Sequence, residues 1–383
     1  MDYLNWGSSP RMQNWQAQWQ RPLVFVVGIW AISRLIVIVM MQVVAPLLPF
    51  PPVDVTMAAE QLTNFTPHMG WDLFTHWDGY WYGKIVKEGY EYVNDGGQHS
   101  IAFFPLFPLL TYLLMQVGLP FAVAGILINN LAFLGALAIL YRWIAASHGA
   151  NSARWVTAVI AWSPFSLFAT ITYTEGLFIL CTTAALYAFE QQQYRWAAVW
   201  GALATATRAP GIALVPTFLI LSWREKRPLA AYLTAIVASS GLLLFSLYCA
   251  VHFHDPLAFW RTQKGWNAIS WGALLLKILI KGPFAVDSLL KLGVLLGSSY
   301  LLWLLRRRLN PILLIYGCCA LALLVASGAT GSFHRFVFSV VPIYWAVGLW
   351  LTQHPRLGYG LLTGFALGLA GAAAYFAWWG WIA

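Results

Sequence analysis

His76-Trp77-Asp78-Gly79-Tyr80-Trp81-Tyr82, running on through Glu88-Gly89-Tyr90 to Ala102-Phe103-Phe104-Pro105-Leu106-Phe107-Pro108, holds the densest polar chemistry of an otherwise oily chain. After Asp78, residues Trp81, Tyr82, Ile85, Val86, Gly89 and Tyr90 recur at helical spacing, while Lys84, Lys87 and Glu88 fall on the opposite face. The pattern predicts an amphipathic helix of about three turns, too short and too charged to cross a bilayer but suited to lie along its surface. Asp78 stands at its start, where a carboxylate meets the positive end of the helix dipole. A carboxylate displayed there among aromatic rings is the leading candidate for a catalytic group.

The surrounding composition sets the class. Of 383 residues, 60% are hydrophobic and only 9% are charged, which excludes a water-soluble domain of this length. The chain reads as an all-α, multi-pass membrane protein with one integral membrane domain over 1–383. Many of its 22 Trp stand beside expected span ends, where an indole is half wet. The net charge of +9 therefore marks cytoplasmic loops and calls for no nucleic acid. Cys181, Cys249, Cys318 and Cys319 lie in apolar runs without CxxC spacing, so neither a disulfide framework nor a zinc site is expected. Residues 1–21 are polar and precede an apolar run of full span length, as in an uncleaved cytoplasmic tail.

With that tail inside, the first span covers about 22–47 and carries Arg34 near its middle. A long external segment follows over 48–120. It opens with Pro49, Pro51 and Pro52, holds most of the acids, and ends in a juxtamembrane stretch at 101–118. Arg142 with Arg154, then Arg195, the run Arg224-Glu225-Lys226-Arg227, the run Arg306-Arg307-Arg308, and Arg356 act as inside markers. Keeping them all inside requires spans at about 121–143, 154–169 and 176–190, with a short external turn at Ala169 to Glu175. Two short spans share 196–223 and turn at Thr207-Arg208-Ala209-Pro210-Gly211. Further spans fall at about 229–251, 285–305, 311–328, 335–351 and 358–380, about 11 in all. A second large external loop, 252–283, includes an amphipathic piece at Leu274 to Ile280.

In this topology Asp78, Glu175, Arg208, His334 and Arg335 come from distant parts of the sequence to one leaflet, which suggests a single site. Each also has a structural reading: Asp78 and Glu175 as helix caps, Arg208 as a partner for carbonyls freed by Pro210, Arg335 as an interfacial anchor. Arg34 stays open between snorkelling, pairing with an internal acid, and substrate contact. His252-Phe253-His254-Asp255 has a metal-like spacing without a further ligand and reads as a solvated loop. Asn64-Phe65-Thr66 matches a glycosylation sequon followed directly by Pro67.

His76-Trp77-Asp78 leading to Ile85 and Gly89-Tyr90, then Ala102-Phe103-Phe104-Pro105 with Pro108, resembles the signature of the PIG-V family, the second mannosyltransferases of GPI-anchor synthesis, and its prokaryotic relatives. Ser163-Pro164, Tyr173-Thr174-Glu175, Thr207-Arg208 with Gly211, and His334-Arg335-Phe336 with Pro342 follow in the order that family shows. The resemblance spans about 25–345. It implies a GT-C-like bundle, a polyprenyl-phosphate sugar donor such as dolichol phosphate mannose, and a site on the non-cytoplasmic face. The acceptor would be a glycolipid or other glycan. The plasma (inner) membrane is implied for a prokaryote, the endoplasmic reticulum membrane for a eukaryote. Asp78 matches the acid of the first external loop and Glu175 that of the second. The first motif has a single acid where some relatives carry Asp-x-Asp, so no metal or other cofactor is expected.

On that resemblance Asp78 is the expected base of an inverting transfer, and Glu175 orients sugar hydroxyls or tunes Asp78. Arg208 and Arg335, with His334, are expected to hold the donor phosphate. His76, Trp77, Tyr80 and Tyr82 are expected to contact sugar or prenyl chain. The competing class is a lipid or solute transporter or flippase without glycosyl transfer, which would show inverted halves or charges midway through several spans.

Overall fold

The computed structural model describes residues 10–48, 68–266, 270–328 and 330–382, and these form helices without a strand among them. Pro49, Pro51, Pro52 and the Asn64-Phe65-Thr66 sequon lie outside the described residues. Among the described residues five helices are long and apolar enough to cross a membrane: Pro22–Leu47, Phe121–Trp162, Leu229–Phe253, Val286–Leu304 and Pro355–Ala377. The other expected spans are shorter. Glu175–Glu190 has 16 residues, Tyr194–Thr207 14, Leu214–Arg224 11, Pro311–Ser327 17 and Val341–Gln353 13. At about 1.5 Å per residue none of these reaches the ~30 Å hydrocarbon thickness. Helix length alone therefore does not confirm the count of about 11 crossings. The breaks have local causes: Pro210 stops one helix after Arg208, and Pro342 restarts another after Phe333–Phe338, dividing the expected 335–351 span.

The 121–143 and 154–169 spans join without a loop. Helix Phe121–Trp162 is bent at Gly149 (φ 82°, ψ 164°), a backbone state open to glycine. Asn129, twenty residues before the bend, donates to the carbonyls of Phe168 (2.7 Å) and Ile171 (2.8 Å), about twenty residues after it. Positions equidistant from the bend meet, so the two arms form a hairpin.

The two large loops share one end of the bundle. Tyr92 Oη donates to Asp255 Oδ2 (2.9 Å), which also pairs with Arg261 (3.0 Å), and Thr262 Oγ1 donates to the Gly97 carbonyl (3.1 Å). Asp255 is thus a tie between loops, and His252 stacks on Tyr248 at 4.1 Å. The amphipathic helix in the second loop is Trp271–Lys281. At the opposite end basic segments meet: His148 Nε2 bonds the Arg308 carbonyl (2.8 Å) and Arg227 the Phe189 carbonyl (2.7 Å). All four cysteines are free.

Segment 163–175 includes the expected turn at Ala169 to Glu175. It is a buried connection, whose backbone groups need protein partners because water is excluded. Arg34 supplies five bonds: Nη1 to the Ser166 carbonyl (2.6 Å) and Thr170 Oγ1 (2.5 Å), Nη2 to the Ala161 carbonyl (3.0 Å) and Ser166 Oγ (2.7 Å), and Nε to Ser33 Oγ (3.3 Å). A guanidinium has five N–H donors, so the fork is saturated without a carboxylate. Asn130 adds a bond to the Thr170 carbonyl (3.0 Å), and Asn129 Oδ1 accepts the Gly176 N–H (2.7 Å). At Gly176 a Cβ would come 2.2 Å from the Asn129 carbonyl oxygen, so the helix starting at Glu175 sits directly on the Asn129 turn. Arg34 is thereby a structural residue of the loop that delivers Glu175.

Replacing Arg34 by Lys, a point charge without the planar fork, is expected to strand two or more of these acceptors and cost about 3 kcal/mol. The unfolding midpoint in detergent should fall by roughly 5 °C or more. An unchanged midpoint would refute this role. Asn129→Leu should act in the same direction, read as faster hydrogen exchange over 163–176.

Candidate active site

Two carboxylates each open a helix. Asp78 is the first residue of Asp78–Glu88, whose inner face buries Tyr82 and Ile85 while Lys87 and Glu88 stay exposed, as the sequence pattern requires. Its amino end lies against segment 170–174: a Cβ on Gly79 would come 2.5 Å from Thr172 Oγ1, and the Asp78 N–H donates to Tyr173 Oη (3.2 Å). The cap position is Trp77, and no side chain caps the helix. Asp78 is therefore not spent as a cap. Its Oδ2 accepts from Arg335 Nη1 at 2.5 Å.

Glu175 opens Glu175–Glu190, and its Oε2 accepts the Thr174 N–H (3.1 Å). Its Oε1 accepts from Arg208 Nη1 and lies 3.2 Å from Arg335 Nε, out of line for a hydrogen bond, so that N–H is buried without an acceptor. Arg208 comes from the break between Tyr194–Thr207 and the turn at Pro210, in extended backbone that directs it off the helix end. Arg335 comes from the short helix Phe333–Phe338. The order in space is Asp78, Arg335, Glu175, Arg208. All four are nearly enclosed, at 8%, 8%, 1% and 7% exposure.

Aromatic rings complete the enclosure. Phe336 lies between the two cations, 5.0 Å from the Arg208 guanidinium and 5.7 Å from that of Arg335. The Tyr173 ring is 5.2 Å from Arg335. Weakly hydrated guanidinium planes favour such faces. The four charges sum to zero, and each is met by an opposite one, as a low-dielectric setting demands. Among the described residues no three His, Cys, Asp or Glu side chains gather in a way that could hold a metal ion.

The remaining expected residues divide. Tyr82 belongs to the site wall: it is buried, its Oη lies 3.5 Å from Thr174 Oγ1, and its ring meets Phe103 and Phe107. Tyr80 points outward, half exposed, against Trp81. His334 does not join the arginines. Its ring stacks on Phe165 at 5.3 Å, in the field of Lys291 and Asp287. His76 turns toward the carboxyl-terminal helix, stacked on Trp379 at 4.0 Å with Nδ1 3.2 Å from the Phe376 carbonyl oxygen. Burial pushes its imidazole down to about 4, so it is neutral at pH 7 and packs as a flat polar ring.

Trp77 adopts φ 58°, ψ −116°, a state that costs a residue with a side chain on the order of 1–3 kcal/mol. It packs on Trp379 and Trp381, neither of which the sequence signals. Asn129 and Asn130 were also unflagged, although two adjacent amides in an apolar span are themselves a signal of buried polar duty.

Comparison with a solved structure at a TM-score above 0.5 shows a shared fold. ArnT of Cupriavidus metallidurans, bound to undecaprenyl phosphate, aligns with a TM-score of 0.51 at 15% identity, covering 89% of this chain and 63% of that one. An oligosaccharyltransferase of Archaeoglobus fulgidus, in complex with Zn and sulfate, aligns at 0.47 and 15% identity, covering 91% and 52%. AglB of the same organism, with an inhibitory peptide and a dolichol-phosphate, aligns at 0.47 and 14%, covering 95% and 55%. The chain thus spans about half to three-fifths of the length of these structures. Among curated proteins no sequence matches. The family model described as Mannosyltransferase (PIG-V) matches residues 21–226, more than half of the chain and inclusive of Asp78, Glu175 and Arg208. The chain belongs to the PIG-V mannosyltransferase family of membrane glycosyltransferases.

Proposed function

We propose that the protein transfers a sugar, mannose by its family, from a polyprenyl-phosphate donor to a hydroxyl of a lipid-linked or polymeric glycan, on the non-cytoplasmic face and with inversion. The observation that supports this reading is the buried Asp78–Arg335–Glu175–Arg208 cluster. It joins two acids and two guanidinium groups, and so the parts such a transfer needs, in a chain with few charges. The donor sugar is already activated, because a lipid phosphate leaves readily at neutral pH. What remains is to deprotonate the acceptor and to receive charge on the departing phosphate.

In this reading Asp78 takes the proton of the acceptor hydroxyl as that oxygen bonds to the anomeric carbon. The bond from that carbon to the phosphate oxygen breaks on the opposite face, and the electron pair leaves with the polyprenyl phosphate. Arg208 and Arg335 meet the charge through N–H groups not committed to Glu175 or Asp78. In the resting arrangement Arg335 occupies Asp78 Oδ2. A phosphate that competes for Arg335 loosens its hold on Asp78 and frees Oδ2 to meet the acceptor hydroxyl only when donor is present. Glu175 keeps both arginines in reach, and Tyr82 with Phe103 offers an apolar wall to the sugar face or prenyl chain.

Asp78→Asn keeps the size of the side chain and an acceptor for Arg335 but removes its basicity. Transfer from polyprenyl-phosphate mannose in proteoliposomes should fall by about 100-fold or more in kcat with the protein still folded. Undiminished transfer would remove Asp78 from the base role. Arg208→Lys retains the charge and loses the fork, and should raise the donor KM by roughly tenfold or more. Unchanged donor dependence in a folded variant would contradict the phosphate assignment.

A further inference from the structure

Residues 378–382 follow helix Pro355–Ala377 and lie beyond the region that the family model matches, yet they touch the segments that lead into Asp78 and into Arg335. The Trp379 ring stacks on His76 (4.0 Å, 18°) and meets Trp77 edge-on at 5.9 Å. The Trp381 ring meets Trp77 edge-on at 5.0 Å, and its indole N–H donates to the Gly331 carbonyl (3.4 Å). His76 and Trp77 immediately precede Asp78. Gly331 lies one helical turn of sequence before Arg335. One short stretch therefore braces the approach to the acid and the approach to its guanidinium.

We propose that Trp379 and Trp381 are positioning residues that set the placement of Asp78 against Arg335. The inference rests on the reading of Asp78 as the base. Trp77 explains why a brace is needed: its positive φ is unfavourable for a side-chain-bearing residue and persists only where surrounding packing fixes it. The neighbouring indoles supply that packing. Indoles suit the task, being large, rigid and low in rotamer entropy, so they fix a neighbour's position at little ordering cost. The catalytic return is orientation, since a displacement of about 1 Å at a reacting group lowers rate by roughly 100-fold.

The test is kinetic. In proteoliposomes supplied with polyprenyl-phosphate mannose, Trp379→Ala and Trp381→Ala should each lower kcat by about tenfold or more while the donor KM stays within about twofold. The detergent unfolding midpoint should hold to within roughly 3 °C. Trp379→Phe, which keeps a ring for His76, should recover most of the rate. Unchanged kcat in both Ala variants, a rise confined to KM, or a rate loss that tracks the unfolding midpoint and is not recovered by Trp379→Phe would overturn the proposal. If the unsubstituted protein transfers no sugar, the functional reading fails and hydrogen exchange decides the inference: Trp381→Ala should speed exchange in both 76–82 and 333–338. Acceleration in only one of them, or in neither, would overturn it.

Discussion

Four charges buried in a protein with few charges are tolerable only as a closed set, and the rest of the structure follows from that constraint. An isolated carboxylate or guanidinium in a low-dielectric interior carries a desolvation penalty of several kcal/mol even after relaxation. Asp78, Arg335, Glu175 and Arg208 offset it by alternating in sign, with Arg335 shared between the two acids. Removing any one leaves the buried set with a net charge. Such an arrangement is stable at rest and sensitive to a newly arriving anion, a property that suits the proposed phosphate-binding role.

Holding that set in register is the work of groups that never enter it. The helix starts that present Asp78 and Glu175 both lean on segment 163–175, and that segment is irregular backbone inside a membrane-embedded bundle. Irregular backbone survives there only where protein groups replace water. Arg34 and the amides of Asn129 and Asn130 do so, from the first span and the hairpin arm. The indoles of residues 379 and 381 act on the other side, against Trp77 and Gly331. The site is thus clamped from both ends of the sequence.

The short helices have the same origin. Tyr194–Thr207 ends immediately before Arg208, Leu214–Arg224 begins only after the turn at Pro210, and Phe333–Phe338 carries Arg335 and stops just short of Pro342. A continuous span of about 20 residues would have fixed the arginine side chains to a helix face in the bilayer. Breaking the helix lets extended backbone at Arg208 reach toward Glu175 instead.

Much of this was legible from the amino acids alone. Apolar runs and basic clusters marked the membrane segments, because hydropathy and Lys/Arg asymmetry are one-dimensional signals. Asp78, Glu175, Arg208 and Arg335 stood out because ionisable residues in an oily chain are rare. What pairs with what was not legible, since Arg335 and Asp78 are 257 residues apart and nothing in their spacing encodes a 2.5 Å contact. The same limit made Arg34 ambiguous, placed His334 with the arginines when its ring in fact stacks on Phe165, and hid the Trp379–His76 stack. It also hid the burial of the 169–175 turn, because its partners lie on other helices. Local chemistry determines which residues need a partner. Only the packing of distant helices decides which partner each one finds.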